Sequence, residues 1–161
     1  MDYKLKSQII AAAEAYGLLP NIVYGVCRTE SSLNPWAIRY EAKFKWLLRD
    51  TPLRPHNCSK ETEVMLQKCS WGLMQVTGAV LREQGFEGWL TRCVGDGPEE
   101  IWNQLNAGCK HLSAKVRKYG FLEGIAAYNT GTPRLLNGKF VNQDYVDRVL
   151  EYAEEWLNGL D

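Results

Sequence analysis

The stretch PEEIWNQLNAGCKHLSAKVRKYG, Pro98 to Gly120, carries the clearest structural signal in the chain. A proline in the first turn loses no hydrogen bond, and Glu99 and Glu100 follow where the helix dipole favours negative charge. Ile101, Leu105, Cys109, Leu112, Val116 and Tyr119 then recur every three or four residues until Gly120 ends the run. The pattern predicts a long amphipathic helix at the centre of the molecule.

Upstream, Leu5, Ile9, Ala12, Ala13 and Tyr16 form a helical stripe that Gly17 terminates. Pro20 and Asn21 open a second helix through Ile22, Val23 and Val26, which puts Glu30 near its end. Trp36, Tyr40, Phe44 and Leu47 also recur at helical spacing, whereas DTPLRPHNCS, Asp50 to Ser59, carries two prolines and reads as a loop. Ser59 is suited to cap a short helix with Glu61 and Glu63 in its first turn. Beyond the central helix, GFLEGIAAYNTG reads as a shorter helix ending at a polar turn, and Tyr145, Val149, Tyr152 and Trp156 share one side of a last helix. No strand pair and no internal repeat is expected, so the fold class is mostly α, in one domain over residues 1–161.

Composition narrows the function classes. The 161 residues are 45% hydrophobic, enough for one core of ordinary size. Nineteen Lys plus Arg balance nineteen Asp plus Glu, so the long-range positive field of a nucleic-acid binder is missing and no nucleic-acid partner is expected. The early apolar run IIAAAEAYGLL is too short for a membrane span and lacks a signal-peptide pattern, so delivery to any extracytoplasmic substrate is expected to need another factor. Five cysteines are an odd number. They read as buried or free thiols, with Cys58 and Cys69 able to pair in an oxidising compartment. His56 with Cys58 and Cys109 with His111 lack the two-residue gap of structural zinc pairs, so neither metal nor cofactor is expected.

Glu30 lies in TESSLNPWAI, Thr29 to Ile38. A carboxyl at a helix end backed by Val23, Val26 and Cys27 can be desolvated, which raises its pKa and suits it to act as an acid. From this stretch alone, a surface glutamate bonded by Ser31 or Ser32 is the better explanation of the residue. GLMQ, Gly72 to Gln75, adds a flexible apolar side chain beside an amide, and AAYNTG, Ala126 to Gly131, adds an aromatic and a second amide at a helix end. Each is an ordinary packing or turn element by itself. Around one carboxylic acid, however, they are the set a carbohydrate site uses, with apolar faces for sugar rings and amides for hydroxyl and acetamido groups.

ESSLNPWA, GLMQ and AYN, in that order, resemble the motifs of the soluble lytic transglycosylases in the goose-type-lysozyme-like superfamily, over about Leu5 to Tyr152. The resemblance implies a lysozyme-like helical domain with a substrate cleft. It further implies cleavage of the β-1,4 bond between N-acetylmuramic acid and N-acetylglucosamine in peptidoglycan, leaving 1,6-anhydro ends. By the same carry-over Glu30 is the catalytic acid and then base, and Ser31 orients it. Met74 and Gln75 line the sugar cleft, and Tyr128 and Asn129 contact the sugar near the scissile bond. Tyr145, in the last helix, approaches Glu30, although packing against Val149 would also account for it. Action as a monomer on peptidoglycan strands is expected.

Two departures qualify the resemblance. Arg39 stands where the family commonly has serine, and the interval from there to GLMQ is long, as in phage-encoded members. The interval introduces Glu41 and Asp50, either of which could be a second carboxylate and permit hydrolysis. Three readings follow: a lytic transglycosylase, a hydrolytic muramidase on the same fold, and a non-catalytic wall-binding or virion structural protein. Delivery by a holin, a virion or a secretion system fits each.

Overall fold

The computed structural model of the protein describes residues 3–159. Seven α-helices account for most of these: α1 (Tyr3–Ala15), α2 (Pro20–Ser31), α3 (Lys60–Gln67), α4 (Gly78–Glu83), α5 (Pro98–Tyr119), α6 (Phe121–Thr130) and α7 (Gln143–Leu157). The helix ends fall where the local chemistry puts them. Prolines open α2 and α5, Ser59 caps α3 by accepting a hydrogen bond from the Thr62 amide, and Gly120 stops α5. Among the described residues no single helix is long and apolar enough to cross a membrane.

α5 is central, with α1 and α6 packed along it, while α7 lies across α2. Ile9, Val23, Leu73, Leu105, Leu112, Ile125 and Val149 are fully buried in this core. Each such side chain contributes roughly 1.5–3 kcal/mol relative to exposure. The α2–α7 contact is unusually close. A β-carbon on Gly25 would lie 2.3 Å from the Val149 carbonyl oxygen, so only glycine lets the two backbones approach this far. That approach brings Tyr145 of α7 within reach of the end of α2.

Two features depart from expectation. Strands are present: β1 (Ile38–Tyr40), β2 (Cys69–Trp71) and β3 (Val76–Thr77) form an antiparallel sheet in the order β1-β2-β3, with Arg39 opposite Ser70. β4 (Leu135–Leu136) and β5 (Lys139–Phe140) form a small hairpin. Strands of two or three residues are too short to show a period of two, and β1 pairs with a partner far along the chain. Correspondingly, the helix suggested by Trp36, Tyr40, Phe44 and Leu47 does not form. The Asn34 side chain accepts from the Trp36 amide in a turn, and Trp36, Ile38 and Tyr40 all stay more than half exposed. A helix there would have had no core face to bury.

Residues 41–58 instead run as an irregular strap. Its start is held by the Glu41 amide donating to the Lys68 carbonyl, at 2.9 Å. Further along, Gln67 of α3 accepts from the Leu48 amide at 2.8 Å and donates to the Leu48 carbonyl at 2.9 Å. Gln67 in turn donates to Glu63, which receives two hydrogen bonds from Arg82 of α4, at 2.7 and 3.0 Å. Glu63 is therefore a buried ion-pair partner and not merely the first-turn acid its position suggested. Arg82 also donates to the Phe86 and Gly88 carbonyls, which ties the strap's supports to one clamp.

All five cysteines are free thiols, and the Cys58–Cys69 bridge is not formed. The Cys58 thiol donates instead to the Ser59 carbonyl, and the Cys69 thiol to that of Met65. Burial pushes the Cys93 and Cys109 thiols up to about 12, too high for a thiolate at neutral pH.

Candidate active site

The three motifs converge on one cleft of about 840 Å³. Glu30 occupies the last turn of α2, just before Ser32 takes a left-handed conformation and ends the helix. The carboxyl is partly withdrawn from water. Burial raises its pKa, and the neighbouring Glu41 adds to the rise, while a hydrogen bond from Tyr145 and the charges of Arg39 and Arg148 act against it; burial wins. The Tyr145 hydroxyl donates to Glu30 Oε1 at 2.8 Å. Burial and the adjacent carboxylate hold the Tyr145 hydroxyl well above its ordinary pKa, so it stays a donor.

Ser31 does not bond the Glu30 carboxyl. Its hydroxyl lies 3.0 Å from the Cys27 carbonyl and 2.8 Å from the Leu73 carbonyl, and so fastens the end of α2 to the GLMQ turn. The polar rim of that turn is thereby set relative to Glu30 by a short, direct contact. Met74 also departs from expectation. Its side chain is fully buried against α5, where a β-carbon on Gly108 would meet the sulfur at 2.2 Å, and it does not line the cleft. The backbone of Met74 matters more than its thioether, because its carbonyl accepts from the Tyr128 hydroxyl at 2.7 Å. Backbone pairing from Ser31 and from Tyr128 thus locks all three motifs together.

Gln75, Tyr128 and Asn129 do line the cleft. Gln75 adopts a left-handed backbone, and its amide nitrogen donates to the Ala37 and Gly72 carbonyls at 3.1 and 2.9 Å. With both protons used, that amide offers only an acceptor to a ligand. The Tyr128 hydroxyl is buried with its proton committed to Met74, so it anchors the GLMQ turn behind the cleft. Asn129 at the end of α6 accepts from Asn142 at 3.2 Å, which leaves its amide protons as donors.

The cleft also holds residues outside the three motifs, among them Glu41, the candidate second carboxylate, and Arg39. Arg39 and Glu41 face the cleft as an ion pair, and Glu41 also accepts from Ser70 at 3.4 Å. His111 and Lys115, one turn apart on α5, complete the floor together with Tyr128, whose ring meets His111 edge-on at 5.3 Å. Burial, then the charge of Lys115, lowers the His111 pKa to about 4 and keeps the imidazole neutral near pH 7. A His and a Lys at i, i+4 beside the apolar stripe were the available signal. Phe44 and Trp46 of the strap also line the cleft. Asp50, by contrast, is exposed on the strap and paired with Lys60 outside the cleft, so it is no second carboxylate for this site. Among the described residues, no group of three His, Cys, Asp or Glu side chains gathers that could hold a metal.

The chain matches the family model described as the transglycosylase SLT domain over residues 7–147, which takes in Glu30, the GLMQ turn, the AYN turn and Tyr145. Neither the curated proteins nor the solved structures yield a match.

Proposed function

We propose that this chain, which belongs to the transglycosylase SLT domain family and hence to a family that cleaves peptidoglycan, breaks the N-acetylmuramic acid–N-acetylglucosamine β-1,4 bond by intramolecular transfer, with Glu30 as acid and then base. The observation that carries this reading is the Glu30 carboxyl itself: desolvated at the cleft, held toward its acid form, and steadied by one hydroxyl donor, Tyr145.

In the first step protonated Glu30 gives its proton to the glycosidic oxygen, and the bond from that oxygen to the muramoyl C1 breaks. In the second the C6 hydroxyl of the same sugar loses its proton to the Glu30 carboxylate while its oxygen bonds to C1. The product is a 1,6-anhydro end, water is not consumed, and Glu30 returns to its starting form. One carboxyl suffices because the nucleophile is part of the substrate, where effective molarity replaces the nucleophilic or water-activating carboxylate of a two-acid glycosidase. Gln75 supplies an acceptor, and Asn129 a donor, for sugar hydroxyl and acetamido groups, while Tyr128 contacts the sugar near the scissile bond from the cleft wall.

A hydrolytic reading draws on Glu41, the other acid near Glu30. Its ion pair with Arg39 and its contact with Ser70 favour a structural part for that carboxylate. Mass spectrometry of digested sacculi separates the two: anhydro ends, one water lighter, are expected, and predominantly reducing ends would overturn the proposal. Loss of all clearing in wild-type protein would instead favour a wall-binding or virion structural role. The length of the strap-bearing interval, a trait shared with phage-encoded members, supports action as an endolysin or virion-borne enzyme on the cell wall.

A further inference from the structure

The strap has a feature that the chemistry at Glu30 does not use. Trp46 is 74% exposed, and it meets Phe44 edge-on with ring centroids 5.8 Å apart. Both rings line the same cleft as Glu30. They lie between two anchored points, the Glu41 amide on the Lys68 carbonyl and Leu48 clamped on both sides by Gln67. Gln67 is fully buried and is itself held through Glu63 and Arg82, so the strap is supported from inside the fold. A large aromatic side chain fixed in the open beside a polar cleft is arranged to meet a ligand.

We infer that Phe44 and Trp46 form an aromatic saccharide subsite that holds a pyranose ring of the glycan strand beyond the two sugars flanking the scissile bond. This rests on the reading of the Glu30 cleft as a peptidoglycan site. The alternating sugars of that polymer present apolar C–H faces of the size of an indole ring, and stacking them on Trp46 removes both surfaces from water. The polar groups that read hydroxyls and acetamides are those of Gln75 and Asn129, whereas the strap wall offers aromatic faces. Its contribution is therefore to affinity for long strands and not to bond cleavage.

The test uses peptide-free β-1,4-linked N-acetylglucosamine oligomers of increasing length, titrated by calorimetry into the full chain carrying Glu30→Gln so that nothing is cleaved. Adding Trp46→Ala should weaken hexamer binding about tenfold, the scale of one aromatic contact with the apolar area it covers, and leave a trimer within about twofold. Trp46→Phe should restore most of the hexamer affinity, which a merely folding-related loss would not allow. Equal hexamer affinity with and without Trp46, or a loss seen only on strands bearing peptide stems, overturns the inference. The catalytic proposal fails separately: hexamer binding that depends on Trp46 in a protein releasing no anhydro ends would sink the chemistry at Glu30 and support the subsite.

Discussion

Glu30 at the end of α2 and Glu63 in α3 are both carboxylates drawn out of water, yet the first is held toward its acid form and the second toward its ionised form. Burial pushes each pKa up. Glu63 meets the two-pronged Arg82 guanidinium and the Gln67 amide, whose hydrogen bonds and charge outweigh that rise and leave its pKa lowered. Glu30 has one phenol and more distant cations, and burial prevails. Desolvation alone does not make an acid. The partner decides which form is kept: Glu63 has a full counter-charge in direct contact, and Glu30 does not.

The strongest way to break this contrast is at Glu30. Glu30→Gln should reduce clearing of a cell-wall suspension by at least about 10²–10⁴-fold, the contribution of a positioned proton donor. The same variant should melt at a higher temperature than wild type at neutral pH. A carboxyl whose folded pKa is raised contributes fully below the unfolded value and loses that contribution as pH rises through the folded one. Glutamine removes the loss, and the two melting curves should converge below about pH 4, where an ordinary glutamate is already protonated. Wild-type activity should fall as pH rises through the raised Glu30 value, and a profile flat into the alkaline range would count against Glu30 as donor.

At Glu63 the sign reverses. Arg82→Met or Glu63→Gln should cost about 3–5 kcal/mol in urea unfolding, because each leaves a buried charge or amide without its partner. Stability from the pair should be present above the unfolded carboxyl pKa and fade as acid takes the pH down through the lowered folded one. An unchanged unfolding midpoint would show that the clamp is not what holds α3, α4 and the strap.

Tyr145→Phe sharpens the comparison by removing the one hydroxyl on Glu30. Loss of a donor to the charged form raises the carboxyl pKa further, so the alkaline limb of the pH–rate profile should move up while the rate drops about tenfold, the scale of a hydrogen bond to a charged group. A limb that stays in place would assign Tyr145 to packing with Val149. The smallest effects belong to the rim: Arg39→Ala should move the limb up and Glu41→Gln down, each with less than about a tenfold change in rate, since the pair is partly open to solvent. Shifts of the same sign would remove the Arg39–Glu41 pair from any part in tuning Glu30.

Much of the helical frame was legible because its signals are local. Pro20, Pro98, Ser59 and Gly120 act within a turn of their own positions, and the apolar stripe of α5 needs no knowledge of its partner. The ordered motifs around Glu30, Gln75 and Asn129 were legible for the same reason. The stripe at Trp36, Tyr40, Phe44 and Leu47 misled because periodicity reports a face without saying whether anything covers it, and nothing in the core does. Met74 was assigned to the sugar cleft and Ser31 to orienting Glu30, but the Met74 side chain packs against α5 and the Ser31 hydroxyl bonds the Cys27 and Leu73 carbonyls.

By itself, then, the sequence determined where α2, α3 and α5 begin and where α5 ends, which carboxyl stands at the end of α2, and which motifs accompany it, since these depend on neighbours within a few bonds or turns. Only the tertiary structure decided that Gly25 would bring Tyr145 onto Glu30, that Arg82 would neutralise Glu63, and that Arg39, His111 and Trp46 would share one cleft. Those outcomes depend on desolvation and on contacts between residues distant in the chain, and both arise only when the core closes.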